Sequence, residues 1–354
     1  MATLFLTSAC NLKCPYCYAT ENTFSADEQW TMPRIERVLD LLKTKGFRLA
    51  LGGGEPLTDI PLVLETGRQA TIRNIPISLL TNGYMLTPAL LRDLRHAGFN
   101  WIQVSADSQK EVAHFEPLFL EGSRIGLRMA VGTVLLPQRM KDIRGMLEIM
   151  ARANITGWRI LRYTPLDHNS RIQQAPSNEE WINMLLTVEA IVRSSGYCPV
   201  QIRYEPSVAP LSWLEGLSQA EKLDVCGGRR ARRVFLYPDG GTYACGLPRR
   251  KGISLASFES DLEEWLQHID HVPPDRCLFP EPDAQMQSYC RDVCRGGCVQ
   301  MRGDSPCDPR CALDHGLVPV CCFEKLLIAT GISGEGRLFY PSEVFESWRS
   351  NYGG

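Results

Sequence analysis

The chain has 354 residues, is 44% hydrophobic and 22% charged, and carries a formal net charge of −2 from 38 Lys plus Arg against 40 Asp plus Glu. Those values exclude a mostly disordered chain, and bulk charge favours neither nucleic acid nor an acidic membrane as a partner. The sequence holds no apolar run of about 18 residues, so no membrane span is predicted, and the length predicts about two domains.

Met1 to Ala9 lacks a basic flank and a long apolar stretch, so no signal peptide is predicted and the expected compartment is the cytoplasm. Thr3 to Thr7 reads as a strand, and Pro33 to Lys45 as a helix with apolar Ile35, Val38, Leu39, Leu41 and Leu42. Phe47 to Leu51 is the next strand, running into Gly52-Gly53-Gly54, followed by a helix from Ile60 to Arg73. The same rhythm continues with strand Pro76 to Leu80, helix Thr87 to Ala97, strand Trp101 to Ser105, and a shorter helix from Gln109 to Phe119. Strand Leu127 to Val134, helix Gln138 to Ala153, strand Trp158 to Tyr163 and helix Asn178 to Ser195 complete six strand–helix units. Thr87-Pro88 and Ser177 carry the chemistry of helix starts. Such alternation predicts an α/β fold with a parallel sheet and right-handed crossovers, with ligands at the carboxyl ends of the strands.

The texture changes after Gly196. Gln201 to Tyr204 is a short extended stretch within a bridge over residues 198–225, and from Cys226 onward Gly, Pro and Cys dominate. The chain has 14 cysteines: three between Cys10 and Cys17, one at Cys198, and ten between Cys226 and Cys322. In a reducing compartment such clusters predict metal or iron–sulfur ligation rather than disulfides. The Cys-rich region has little apolar sequence of its own, so ligation would have to stabilise it.

The sharpest motif is Cys10-Asn11-Leu12-Lys13-Cys14-Pro15-Tyr16-Cys17, in the loop after the first strand. Three thiolates at these spacings, with no fourth ligand nearby, suit three irons of a cubane and leave one iron open. A zinc loop is the alternative reading, although zinc asks for a fourth ligand close by. The motif and its context resemble the radical S-adenosylmethionine (SAM) enzymes. The resemblance implies a partial (β/α)6 barrel over residues 1–197, a 4Fe-4S cluster on Cys10, Cys14 and Cys17, and cleavage of SAM to a 5′-deoxyadenosyl radical. Beside that loop it places SAM contacts at Tyr16, at Gly53, Gly54, Glu55 and Pro56, and at Asn82, Ser105 and Asp107. It also points to Arg128 for the SAM carboxylate and to Ile160 and Arg162 near adenine. For Arg128 an outward surface position is the competing reading. An external one-electron reductant of the flavodoxin or ferredoxin type is implied too.

Tyr237-Pro238-Asp239-Gly240 reads as a hairpin turn between Cys226 and Cys245. With Cys277, Cys290, Cys294, Cys298, Cys307, Cys311, Cys321 and Cys322, the span 226–325 resembles the SPASM extension, which implies up to two auxiliary 4Fe-4S clusters; 326–354 is then a terminal helix and tail. Cys226, Cys245 and Cys298 would share the cluster nearer the barrel, while Cys290, Cys294 and Cys321 or Cys322 would serve the distal one. The run departs from the family spacing, since three residues separate Cys290 from Cys294 and three separate Cys294 from Cys298, and ten cysteines exceed the eight needed. Assignments of Cys277, Cys307 and Cys311 stay open, and a structural zinc module, with His268 and His271 nearby, is the alternative. Cys198 reads as a buried thiol. Arg229, Arg230, Arg232 and Arg233 read as a solvated face or as a dock for an acidic peptide.

The resemblance implies an oxidoreductase that modifies a ribosomally made peptide by crosslink, thioether or related bond. A dehydrogenase of a sugar or amine, a sulfatase-type protein maturase, and a non-enzymatic cluster-binding module are the alternatives. Because Cys10 lies so near the first residue, a separate protein would present the peptide's leader, or the leader would add to a sheet edge near Gln201 to Tyr204.

Overall fold

A computed structural model describes residues 1–17, 29–163, 175–195, 201–205, 207–210, 234–243, 256–257 and 317–320. Its first six units follow the predicted rhythm: β1 (Ala2–Thr7), α1 (Met32–Thr44), β2 (Leu49–Gly53), α2 (Ile60–Ile72), β3 (Ile77–Thr81), α3 (Pro88–His96), β4 (Phe99–Ser105), α4 (Gln109–Arg124), β5 (Arg128–Leu135), α5 (Ile143–Arg152), β6 (Gly157–Arg162) and α6 (Asn178–Ser194). Thereafter come β7 (Gln201–Glu205), β8 (Ser207–Pro210), β9 (Val234–Leu236), β10 (Gly241–Tyr243), β11 (Ala256–Ser257) and β12 (Leu317–Val320).

One ten-stranded sheet runs β11-β10-β9-β1-β2-β3-β4-β5-β6-β7, and β8 pairs with β12 in a separate two-stranded sheet. Strands β1 to β7 are parallel in sequence order, as right-handed strand–helix crossovers require. β9 lies parallel to β1 on its other side, while β10 and β11 follow antiparallel. The stretch read as a bridge thus begins with a strand of the main sheet, and the sheet crosses both expected divisions, at 197/198 and 225/226. The predicted hairpin turn is present: Gly240 N donates to Tyr237 O at 3.0 Å and Gly241 N to Asp239 Oδ1 at 2.9 Å.

Strand alternation sorts the side chains onto two faces. Leu4, Leu51, Leu79, Ile102, Val104, Met129, Val131, Trp158 and Ile160 join the helices' buried residues in a single core. Thr3, Gly52, Leu80, Gln103 and Gly132 lie on the opposite face, where they touch one another across strands. Side chains cap the starts of α3 and α6: Thr87 Oγ1 accepts from Leu90 N at 3.1 Å, and Ser177 with Glu180 forms a complete capping box.

Helix α4 runs on to Arg124, past the predicted end at Phe119, and carries Pro117 within it. Val112, Phe115, Phe119 and Gly122 form one buried stripe, so packing outweighs the single hydrogen bond that proline removes. The predicted helix from Gln138 is split into a short 3₁₀ turn over Pro137–Asp142 and α5. Among the described residues no helix is long and apolar enough to cross a membrane.

Candidate cofactor site

The cysteine loop leaves the carboxyl end of β1 and is fastened at its stem by the exit of β2. Gly54 N donates to Thr7 O at 2.7 Å, Glu55 N donates to Ala9 O at 2.8 Å, and Thr7 Oγ1 accepts from Ala9 N at 3.0 Å. This contact needs the glycines. Gly53 has φ +132°, and a Cβ on Gly54 would lie 2.3 Å from Ala9 O. The room that Gly53 and Gly54 provide is therefore taken first by the chain's own loop stem. Cys10 is exposed and Cys14 and Cys17 are half-buried. Cys10 Sγ accepts from Leu12 N at 3.4 Å and from Asn82 Nδ2 at 3.8 Å, while Cys17 N donates to Cys14 O at 3.1 Å.

Burial, and then the neighbours Cys17, Asp107, Cys10 and Glu111, push the Cys14 thiol above its ordinary pKa. A cationic centre bound there would relieve that opposition, which fits iron on these sulfurs. Among the described residues no three His, Cys, Asp or Glu side chains converge on one ion position. Thiolates that each take a different iron of a cubane need no such convergence.

Glu55 is 0% exposed, at the junction of β2 and β3. Its Oε1 accepts from Leu57 N at 2.9 Å and Thr81 Oγ1 at 2.8 Å, and its Oε2 accepts from Asn82 N at 2.7 Å. Burial raises its pKa against the pull of those donors. The carboxylate holds the strand ends, and Pro56 is buried in the short turn behind it. Asn82, so positioned, donates Nδ2 to Asn11 Oδ1 at 2.7 Å and fixes the cysteine loop from the β3 side.

On the β4 side, Tyr16 of the loop donates its hydroxyl to Asp107 Oδ2, and Asp107 Oδ1 accepts from Val134 N at 2.7 Å. Burial pushes Asp107 up to about 6, against the Tyr16 and Val134 hydrogen bonds, and desolvation together with Asp107 moves the Tyr16 phenol upward. Glu111 supports the turn: its Oε2 accepts from Asp107 N at 2.8 Å and from Ser108 Oγ at 3.0 Å. Sequence reasoning missed Glu111, Asn11 and Val134. Ser108-x-x-Glu111 is a capping-box pattern that was available to read; the other two carry no such signal. Ser105 ends β4 exposed at the same rim.

Two expected contacts are corrected. Arg128 opens β5, paired with Trp101 near the start of β4, and is exposed. It therefore sits at the amino end of the sheet, about 20 Å along the strand from the cysteine-loop rim, as the rise of a strand requires. Ile160 is 0% exposed in the core shared with the helices, so its side chain packs there and not against adenine. Arg162, at the end of β6, donates Nη2 to Pro176 O at 2.9 Å and lies over the Trp181 ring at 5.9 Å. Cys198, Cys226, Cys245, Cys277, Cys290, Cys294, Cys298, Cys307, Cys311, Cys321 and Cys322, with Arg229 to Arg233, His268 and His271, lie outside the described residues.

A parallel α/β sheet with a three-cysteine loop at the carboxyl end of its first strand defines the class of the protein. Residues 4–116 match the model of the Radical SAM superfamily, and the chain carries a radical SAM domain. Enzymes of this superfamily work with SAM and a 4Fe-4S cluster.

Among curated relatives, the AdoMet-dependent heme synthase of Methanosarcina barkeri is 34% identical over 110 residues, 31% of each chain. The probable GTP 3′,8-cyclase of Methanococcus vannielii is 28% identical over 193 residues, 50% of this chain and 64% of the relative. The chain thus spans less than two thirds of these relatives' lengths. In fold it is similar to Streptococcus suis SuiB bound to SAM, with TM-score 0.66, 16% identity, and coverage of 88% of this chain and 76% of SuiB. It is also similar to anSMEcpe with bound AdoMet, with TM-score 0.62, 14% identity, and coverage of 94% and 97%. SuiB is also known bound to its precursor peptide SuiA, and anSMEcpe with the peptide Cp18Cys.

Proposed function

We propose that this protein is a cytoplasmic radical SAM maturase that oxidatively modifies a ribosomally made peptide. Cys10, Cys14 and Cys17 hold the cluster that meets SAM. The cysteines of 226–325 hold auxiliary clusters that accept electrons from the substrate. When bound, SAM and its cluster supply one-electron reduction and hydrogen-atom abstraction from an unactivated carbon. The chain's own part is to fix the loop. Gly53 and Gly54 carry its stem, Asn82 holds Asn11 and Cys10, and Asp107 holds Tyr16, so three strand ends set the position of three sulfurs. Ser105 faces the same rim.

The observation that carries the peptide reading is the fold match over nearly the whole chain to SuiB and anSMEcpe, both solved with peptides. Oxidation with net loss of two electrons needs a sink, which ten cysteines beyond the sheet's main units could provide. An external flavodoxin- or ferredoxin-type reductant would supply the first electron, and a separate leader-binding protein would present the peptide. A second reading rests on the curated relatives named for heme synthesis and GTP cyclisation: a small-molecule substrate in the same barrel.

The test is anaerobic incubation of reconstituted protein with SAM, a chemical or flavodoxin reductant, and any short peptide found encoded beside the gene. A two-hydrogen mass loss on the peptide, with 5′-deoxyadenosine release, supports the proposal. Release of 5′-deoxyadenosine with a small molecule oxidised and every peptide unchanged favours the second reading. Reconstitution should give about twelve irons, falling to about eight when Cys10, Cys14 and Cys17 become Ala, if each cubane has its own cysteine set. SAM cleavage surviving that triple change would remove the loop assignment. A folded Cys245→Ala variant should lose product formation while still cleaving SAM.

A further inference from the structure

In a parallel strand–helix sheet every helix-to-strand turn lies at the amino end of the strands, opposite the cofactor rim. Here α2 packs between α1 and α3, and the helix ends are tied together at that face. Arg73 pairs with Asp40 at 2.7 Å, and Thr71 Oγ1 donates to Ala97 O at 3.2 Å. The last residue of α2 is Ile72, which is 70% exposed. Exposed Lys43, Lys45 and Arg48 stand on its α1 side, and exposed Arg95 and His96 at the end of α3. Exposed Met1 adjoins Arg48, whose carbonyl accepts from Ala2 N at 2.8 Å.

Cations in the last turn of a helix offset its dipole, which accounts for Lys43, Arg95 and His96. That reason does not reach Lys45 and Arg48, which lie beyond α1, or Arg128, which opens β5 at the same end. None of Lys43, Lys45, Arg48, Arg95 and Arg128 forms an ion pair with a described residue, although the whole chain has a net charge of −2. Like charges gathered without partners repel one another, and here they surround an apolar side chain that faces water.

We propose that this face docks an acidic segment of the protein that presents the substrate's leader, with one apolar side chain of that segment seated on Ile72. Carboxylates complement the unpaired cations, and an apolar centre within a charged rim is how protein contacts are built. A nucleic-acid backbone would leave Ile72 without a partner. An anionic bilayer asks for a broader apolar face with interfacial rings, and no exposed Trp, Tyr or Phe of the described residues lies at this end. An electron carrier is disfavoured by distance, since the length of β1, about 20 Å, separates this face from the cysteine loop. Docking here leaves the cofactor rim open, and about ten extended residues reach from one end of the sheet past the other. The proposal rests on the peptide reading above and adds where the presenting protein holds the enzyme.

The test uses reconstituted full-length protein and a fluorescein-labelled peptide of Glu-Glu-Leu-Glu repeats, followed by anisotropy, with a Gln-Gln-Leu-Gln peptide of equal length as control. Wild type should bind the acidic peptide about tenfold more tightly than the control, and the difference should shrink at about 0.3 M salt. Ile72→Ser, and the double change Lys45→Glu with Arg48→Glu, should each weaken acidic-peptide binding about tenfold. These side chains are exposed, so both variants should melt within about 2 °C of wild type and cleave SAM reductively at the wild-type rate without substrate. Equal binding of the two peptides, or unchanged binding by both variants, overturns the proposal. Tighter binding of wild type to a thymidine oligonucleotide, or to vesicles of phosphatidylcholine and phosphatidylserine, overturns it too. So does a lowered melting temperature with binding intact, since the cations would then serve the fold alone. Acidic-peptide binding that the variants lose, in an enzyme that never modifies a peptide, counts against the maturase reading and leaves the docking face standing.

Discussion

The Tyr16 hydroxyl and the Asp107 carboxylate, 91 residues apart, meet where the cysteine loop passes over the end of β4. Because Asp107 also accepts from Val134 N, one side chain joins the loop, β4 and β5. A metal-binding loop that could otherwise sample many shapes is thereby tied to two rigid strands. The same carboxyl group has its proton affinity raised by burial, to about 6.

That shift sets a pH dependence. The folded protein holds a proton on Asp107 that the unfolded chain has released, so stability falls as pH rises from about 4 to about 6 and levels off above. The effect is at most about 3 kcal/mol. In iron-free protein, wild type should lose more melting temperature between pH 4 and pH 7 than Asp107→Asn does. Equal losses would show that the shift is absent.

Gly54→Ala should dislodge the loop stem, because its Cβ would meet Ala9 O at 2.3 Å and backbone cannot step aside as a flexible side chain can. Overpacking of this kind costs about 1–3 kcal/mol. The variant should fold, hold fewer irons after reconstitution, and cleave SAM more than about tenfold more slowly. Normal iron content together with normal cleavage would show that the stem tolerates the shift.

Glu55→Gln places an NH₂ against the donors that the carboxylate now serves. Either Asn82 N or the Leu57 and Thr81 pair loses its acceptor. The expected cost is about 1–3 kcal/mol in denaturant unfolding. A variant as stable as wild type that fails to bind SAM would instead make Glu55 a direct ligand contact.

Arg128→Ala should leave the Kd for SAM within about twofold of wild type, the scale of a surface change remote from the site. A large loss, measured by equilibrium dialysis, would return Arg128 to the cofactor site.

The alternation of strands and helices was legible because each unit carries its own period of apolar residues, from Leu4 in β1 to Val188 in α6. The cysteine loop was legible from spacing alone. What stayed hidden was direction along a strand and choice of face. Arg128 and Ile160 both lie on the strands expected for them, but one residue stands at the wrong end and the other on the wrong side. A period of two cannot say which face meets the helices until the helices are in place. Glu55 shows a further limit. Its motif was visible, whereas its use in bracing β3 depends on Thr81 and Asn82, more than twenty residues later. The pairing of β9 with β1 also depends on distant sequence, and short β9 gives little local sign of its partner.

That pairing bears on how the protein is made. β1, which carries the cysteine loop, has β2 on one side early in synthesis, but its other side waits for β9, roughly 230 residues later. At ordinary elongation rates the wait is about ten to fifty seconds. During that interval the strand beside the iron-binding cysteines is an open edge, able to pair with the wrong chain. Nascent protein paused before β9 should therefore aggregate through this edge.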